Sequence, residues 1–272
     1  MMNVLVFDIE TVPDVESGKK IYDLEGLSDK DVIKAIEHLR TQQTGSGFMP
    51  HYMQRIVAIS AVLSAGEVFK VWSLGDESST EKELLERFYD GLEKYNPTIV
   101  SWNGGGFDLP VMHYRSLLHG VKAHHYWQTG DEDTSFRYNN YLGRFHWRHI
   151  DLMDVLAAYQ MRANAKLDHI ATMLGFPGKL GMDGSKVCET FLNGDLKSIR
   201  DYCETDVLNT YLVYLRFDLM RGKLYEKEYE KKCQQVKDYL SESGEKHLDE
   251  FLQAWCAQGS TNMRSVMDDA ID

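Results

Sequence analysis

The chain has 272 residues, 43% of them hydrophobic and 26% charged, enough to bury the core of one domain with a helical appendage. A net charge of -12 argues against a protein that coats nucleic acid through a general basic surface, yet leaves room for an enzyme with a local groove, because cation-holding carboxylates count in that total. No apolar run approaches the roughly 20 residues of a membrane span and no basic, apolar leader precedes the first strand-like segment, so a cytoplasmic protein with no membrane partner is expected.

Asn3 to Glu10 is rich in β-branched and apolar residues and is stopped by Pro13, which reads as a buried first strand. Residues 15–50 form an insertion holding an amphipathic helix from a Ser28 cap to Leu39, then a polar loop from Thr41 to Gly47. Arg55 to Ser64 and Glu67 to Leu74 are two strands joined at Ala65-Gly66, a hairpin signal. Ser79-Thr80 ahead of Glu83 caps a helix with Leu84, Leu85, Phe88 and Leu92 on one face. After Pro97 comes a short buried strand, Thr98 to Trp102. Asn103-Gly-Gly-Gly106 and Phe107-Asp108-Leu109-Pro110 then lead into a helix ending near His119. Residues 122–149 read as a loop and His149 to Leu152 as a last strand. Helices are expected over 151–160, 167–174, 185–192 and 195–220, followed by a charged helical extension over 222–258 and a loose tail over 259–272. Strands in the first half with helices throughout indicate an α/β fold with a mixed sheet.

Cys188, Cys203, Cys233 and Cys256 contain no CxxC pair, and His124, His125, His146 and His149 lack zinc-ligand spacing, so buried or idle thiols and surface or core histidines are expected. The carboxylates are more informative. Asp8 and Glu10, two apart on a strand, project to one face, where the pair is either a cation site or an ordinary solvated strand end. Asp108 follows a strand and three glycines, and either reaches the sheet edge or caps the helix that begins beside it. Tyr202 and Asp206, four apart on a helix, share a face that either looks into a site or carries an exposed acid beside a half-buried ring. Asp151, Asp154 and Asp168 are assigned to caps and the surface.

Taken jointly, Phe7-Asp-Ile-Glu-Thr11, Asn103-Gly-Gly-Gly-Phe-Asp108 and Tyr202-Cys-Glu-Thr-Asp206 resemble the three exonuclease motifs of the DEDD superfamily. The chain most resembles the proofreading domain of family B DNA polymerases and, among these, the free-standing predicted PolB-like 3′-to-5′ exonucleases of bacteria. The similarity runs from Asn3 to Arg221 and includes Met182-Asp-Gly-Ser-Lys-Val187, which gives an exonuclease domain over 1–221. The resemblance implies a ribonuclease H-like fold, a five-stranded mixed sheet flanked by helices. Tyr202, with Asp rather than His at position 201, implies the tyrosine branch.

It further implies two divalent cations, Mg²⁺ or Mn²⁺, in an oxygen-only site. Asp8 would bridge both, Glu10 and Asp206 would complete the nucleophile side, Asp108 would hold the leaving-group side through water, and Tyr202 would orient the attacking water. The implied substrate is the 3′ end of single-stranded nucleic acid, DNA ahead of RNA. Trp102, Asn103, Phe107 and Leu109 are the substrate-binding candidates, with a core role the alternative for Trp102. Arg137, Arg144 and Arg148 form a candidate strand-binding stretch, or else a solvated loop. An exoribonuclease and a catalytically silent binding module are the competing readings.

Overall fold

The computed structural model describes residues 3–268, with side chains to residue 258. Its centre is β1 (Val4–Pro13), joined by β2 (Gln54–Ala65), β3 (Val68–Ser73), β4 (Thr98–Ser101) and β5 (His149–Asp151) in one sheet of order β3-β2-β1-β4-β5. β2 pairs antiparallel with β1 and with β3, whereas β4 runs parallel to β1 and β5 parallel to β4. The sheet is therefore mixed, and helices flank it, in agreement with the ribonuclease H-like expectation.

Alternation along β1 divides the core in two. Leu5, Phe7 and Ile9 face α3 (Glu81–Tyr95) and α4 (Asp108–His119), packing with Leu85, Phe88 and Met112. Val4 and Val6 face the other way, toward α8 (Leu196–Met220), and join Leu208, Leu212 and Val100. α8 is buried on nearly all sides because α9 (Glu226–Glu242) and α10 (Lys246–Asp268) cover it with Val236, Leu240 and Phe251. Such a helix carries little apolar periodicity. α10 is tied down where His247 Nε2 meets Glu204 Oε2 at 2.9 Å, a carboxylate that also accepts from Ser73 at 2.7 Å.

The insertion is a helical hairpin with its own small core. α1 (Val15–Tyr22) and α2 (Asp29–Thr44) close over Val32, Ile36, Met49 and Met53. A Cβ at Gly18 would overlap the end of the Ile36 side chain, so a larger residue there would require Ile36 to move. Ser28 caps α2 as expected, although α2 runs on to Thr44, and α1 has no counterpart among the expected elements.

Further along, the helix expected over 151–160 is shorter. α5 (Leu152–Leu156) ends before Ala158 and Tyr159, both in left-handed backbone that no helix continues. α6 (Leu167–Met173) and α7 (Val187–Leu192) lie where helices were expected. The backbone of α10 is helical to Asp268, inside the region expected to be a loose tail; the rest of that tail lies outside the described residues. Among the described residues no helix is long and apolar enough to cross a membrane.

Candidate active site

β1 outruns its parallel neighbour. Pairing with β4 covers only Val4 to Val6, so from Phe7 onward the β4-facing edge of β1 has no ladder partner. The Ile9 amide on that edge donates instead to Asp108 Oδ1 at 3.2 Å. Asp108 is the first residue of α4 and is not its cap: position 107 fills the cap site, and no side chain bonds there. The helix-cap alternative for Asp108 is thereby replaced by a contact across the sheet edge. Asp8 and Glu10 lie on the α8 face of the same strand, beside a register irregularity between Glu10 and Thr11.

The glycine loop that delivers Asp108 is held from below. Asp151 Oδ1 accepts from the Asn103 amide and Oδ2 from the Gly105 amide, each at 2.9 Å. The same carboxylate caps α5 through the Asp154 amide at 3.3 Å. Asn103 adopts a left-handed backbone, and its carbonyl accepts from the Gly106 and Phe107 amides. Gly104 is required by proximity, since a Cβ there would overlap Ser101, whose hydroxyl pairs with His149 Nε2 at 2.8 Å. The expectation of a capping role for Asp151 was correct, and its larger role as the loop's clamp is visible only in three dimensions.

From α8 come Tyr202, Cys203 and Asp206. Burial raises Asp8 and Glu10 well above the usual carboxylate range, and the charges of Asp108 and Asp206 raise both further. Burial lifts Asp108 to about 7 and Asp206 to about 6, the latter opposed by a hydrogen bond from Tyr202 and the charge of Lys179. The Tyr202 hydroxyl is raised by burial and by Asp206, so it stays protonated and donates. Four carboxylates from three elements thus share one recess in which burial raises all four and the charges of Asp108 and Asp206 disfavour the ionisation of Asp8 and Glu10.

Such a donor set fits a divalent cation, whose charge replaces the protons the acids would otherwise retain. One ligand atom each from Asp8, Glu10 and Cys203 lies within 4.8 Å of the others. Cys203 is a buried thiol, one of the two alternatives expected for the cysteines, and it touches Asp8. Its Sγ donates to the Asp8 carbonyl at 3.5 Å and approaches Asp8 Oδ2 at 3.7 Å, while burial and the Asp8 charge hold the thiol well above its ordinary range. The thiol thereby supports the Asp8 backbone.

Among the other substrate-binding candidates, Phe107 is half-buried at the mouth, next to Asp108. Leu109 is 4% exposed and belongs to the core under α4. Trp102 packs against the α8 core and donates from Nε1 to the Ala165 carbonyl at 3.1 Å, in line with the core alternative. The expected strand-binding arginines are largely committed elsewhere. Arg144 forks onto Asp154 with two 2.7 Å bonds, and Arg148 lies over the Phe136 ring at 3.8 Å while donating to the Asn139 carbonyl at 2.7 Å.

The cation that does act on the site, Lys179, has no motif of its own. It is exposed, and its charge lowers both Glu10 and Asp206. Its amide donates to Asp168 Oδ1 at 2.8 Å, while Asn209, three residues beyond Asp206, clamps both backbone groups of Gly178. The only sequence hint is a lone lysine after Pro177-Gly178, a turn signal rather than a site signal.

A family model described as "Predicted 3'-5' exonuclease related to the exonuclease domain of PolB" matches residues 46–255. It thereby includes Asp108, Lys179, Tyr202 and Asp206 and begins after Asp8 and Glu10. No curated protein matches the chain. Among solved structures, the family B DNA polymerase of the hyperthermophilic archaeon Pyrobaculum calidifontis is similar with a TM-score of 0.50 and 17% identity, over 93% of this chain and 27% of the polymerase. Exonuclease I of E. coli in complex with a 5cy-dT13 oligonucleotide gives a TM-score of 0.32 and 14% identity, over 81% of this chain and 45% of that one. The chain thus spans about a quarter of the length of the polymerase, and at this identity the likeness speaks to the fold alone.

Proposed function

Because the chain belongs to the family of predicted 3′-5′ exonucleases related to the exonuclease domain of PolB, we propose that it hydrolyses phosphodiester bonds at the 3′ end of single-stranded nucleic acid, DNA in preference to RNA, at Asp8, Glu10, Asp108 and Asp206. The observation that carries this reading is the convergence of these four acids in one recess, where burial raises them all and the charges of Asp108 and Asp206 raise Asp8 and Glu10 further. An assembly so costly to ionise persists when it has a cation to hold.

The four carboxylates would hold two divalent ions, Mg²⁺ or Mn²⁺, which supply Lewis acidity to the attacking water and to the departing 3′ oxygen. The rest falls to the chain's own side chains. Asp108 is fixed on the β1 edge by the Ile9 amide, and Asp8 is supported from behind by the Cys203 thiol. Tyr202 keeps its proton and offers it as a hydrogen bond to the attacking water. Lys179, set at the rim by Asn209 and Asp168, faces the phosphate, and the half-exposed Phe107 ring meets the terminal base once it is unstacked.

The test is digestion of 3′-end-labelled single-stranded DNA and RNA with Mg²⁺ or Mn²⁺, run beside Asp8→Ala. We expect stepwise shortening from the 3′ end, faster on DNA, and a loss of about a thousandfold or more in the variant. If both substrates survive high enzyme concentrations, or if Asp8→Ala cleaves as fast as the wild type, the assignment is wrong.

A further inference from the structure

The insertion ends in a segment that turns two kinds of side chain in opposite directions. Met49 and Met53 point into its small core and are 3% and 0% exposed, whereas Phe48 and Tyr52 point outward at 61% and 45%. The outward pair lies against the helix that begins at the active site. Phe48 and His51 each place a ring centroid 5.7 Å from that of Phe107, and Tyr52 meets Tyr114 edge-on at 6.2 Å. His51 also donates from Nε2 to the Gly106 carbonyl at 3.0 Å, so the segment is fastened to the glycine loop itself. Tyr114, 50% exposed, lies seven residues beyond Phe107 on α4, about 10 Å along the helix axis.

Charge singles out the same surface. In a chain with 42 acidic residues, none falls between His38 and Gly66, and none between Leu109 and His119. A polyanion lying on these two segments meets no carboxylate of their own, with Glu37 of α2 the acid beside Gly47. Arg115 is no counter-example to the strip's openness, because it is buried against Asp14 and Glu81 on the inner side of α4.

From this continuity with the Asp108 mouth we infer that Phe48, His51, Tyr52 and Tyr114 form a stacking shelf for the two or three nucleotides immediately 5′ of the one being removed. It continues from Phe107, which meets the terminal base. The occupant is a single strand, since only unpaired bases offer their faces to such rings, and the shelf reads no sequence because every base has a π-face. The proposal rests on the exonuclease reading of the site, and it gives the insertion a role in substrate length.

The test measures fluorescence anisotropy of labelled oligothymidylates of two to eight nucleotides in Ca²⁺, and separately the hydrolysis of the 5′-p-nitrophenyl ester of thymidine monophosphate in Mg²⁺. Phe48→Ala should weaken binding of the longer oligomers roughly tenfold, Tyr52→Ala with Tyr114→Ala should weaken it further, and Phe48→Trp should restore it. The mononucleotide ester, which has no nucleotide 5′ of the one being removed, should be handled as by the wild type. Equal binding by wild type and Phe48→Ala at every length overturns the shelf, as does an equal loss on the mononucleotide ester, and as does a wild type that binds no oligomer. A wild type inert toward the ester and toward end-labelled strands sinks the exonuclease reading itself, so the two failures are told apart. Because the Phe48 and Tyr114 side chains are largely exposed, unchanged thermal melting of the variants keeps binding loss separate from unfolding.

Discussion

Two buried acidic clusters lie along the same strand, and they are handled in opposite ways. Just past the Pro13 end of β1, Asp14 and Glu81 close on Arg115, which forks onto Glu81 at 2.7 and 2.6 Å and also pairs with Asp14. Burial works against the ionised Asp14, yet hydrogen bonds from Ser17 and Arg115 hold it below the usual carboxylate range. A few residues earlier, Asp8 and Glu10 face Asp108 and Asp206; burial raises all four, and the charges of Asp108 and Asp206 raise the first two further. The first cluster is complete and ties the insertion to α3 and α4. On the proposed function, a cation from outside would complete the second. The difference in direction between Asp14 and Asp8 would then separate an acid used for structure from one held for a ligand.

The contrast can be broken most severely at Arg115. Arg115→Met leaves two buried carboxylates without their partner and should cost about 3–5 kcal/mol, read as a fall in the urea midpoint. A loss below about 1 kcal/mol would show that the cluster is not structural.

A third buried ionisable group calibrates the pair. Burial depresses His149 to about 4 from an ordinary 6.5, so between those values the unfolded chain binds more protons than the folded one. Its contribution is full above pH 6.5 and is lost as pH falls toward 4, about 3 kcal/mol in all. The raised carboxylates act with the opposite sign, stability falling as pH rises through their folded values. The His149 share is therefore read as the wild-type minus His149→Gln difference between pH 7 and pH 5. A difference that does not change with pH would place a charged imidazole in the fold.

The smallest effect sharpens the comparison from the other side. Asp206→Asn removes one repelling charge and should raise metal-free stability by about 1 kcal/mol while abolishing cleavage, a trade-off expected where function maintains strain. A destabilised, inactive Asp206→Asn would instead assign Asp206 a structural place like that of Asp14.

What could be read from the sequence was what short-range rules encode. The Thr80–Glu83 capping box, the Ser28 cap and the alternation of β1 are local, and each is present in the structure. The acids of the site could be grouped because each belongs to a short pattern on a recognisable element. The pieces that hold them could not. Asp151 reaches the glycine loop across 46 and 48 residues, and Cys203 reaches Asp8 across 195. Arg144 and Arg148 looked available for phosphate because the sequence does not reveal that Asp154 and the Asn139 carbonyl take them up. α1 went unseen because its place depends on Gly18 fitting against Ile36, a contact between two helices.

The length of β1 beyond β4 has one more consequence. An extended strand with an unpaired edge is a template for a strand from another molecule, and proteins keep such edges from recruiting one. Here the amide of Ile9 is already occupied by Asp108, and Phe7 and Ile9 are only 1% and 4% exposed. The contact that fixes Asp108 at this end of the sheet also closes the edge to a strand from another molecule.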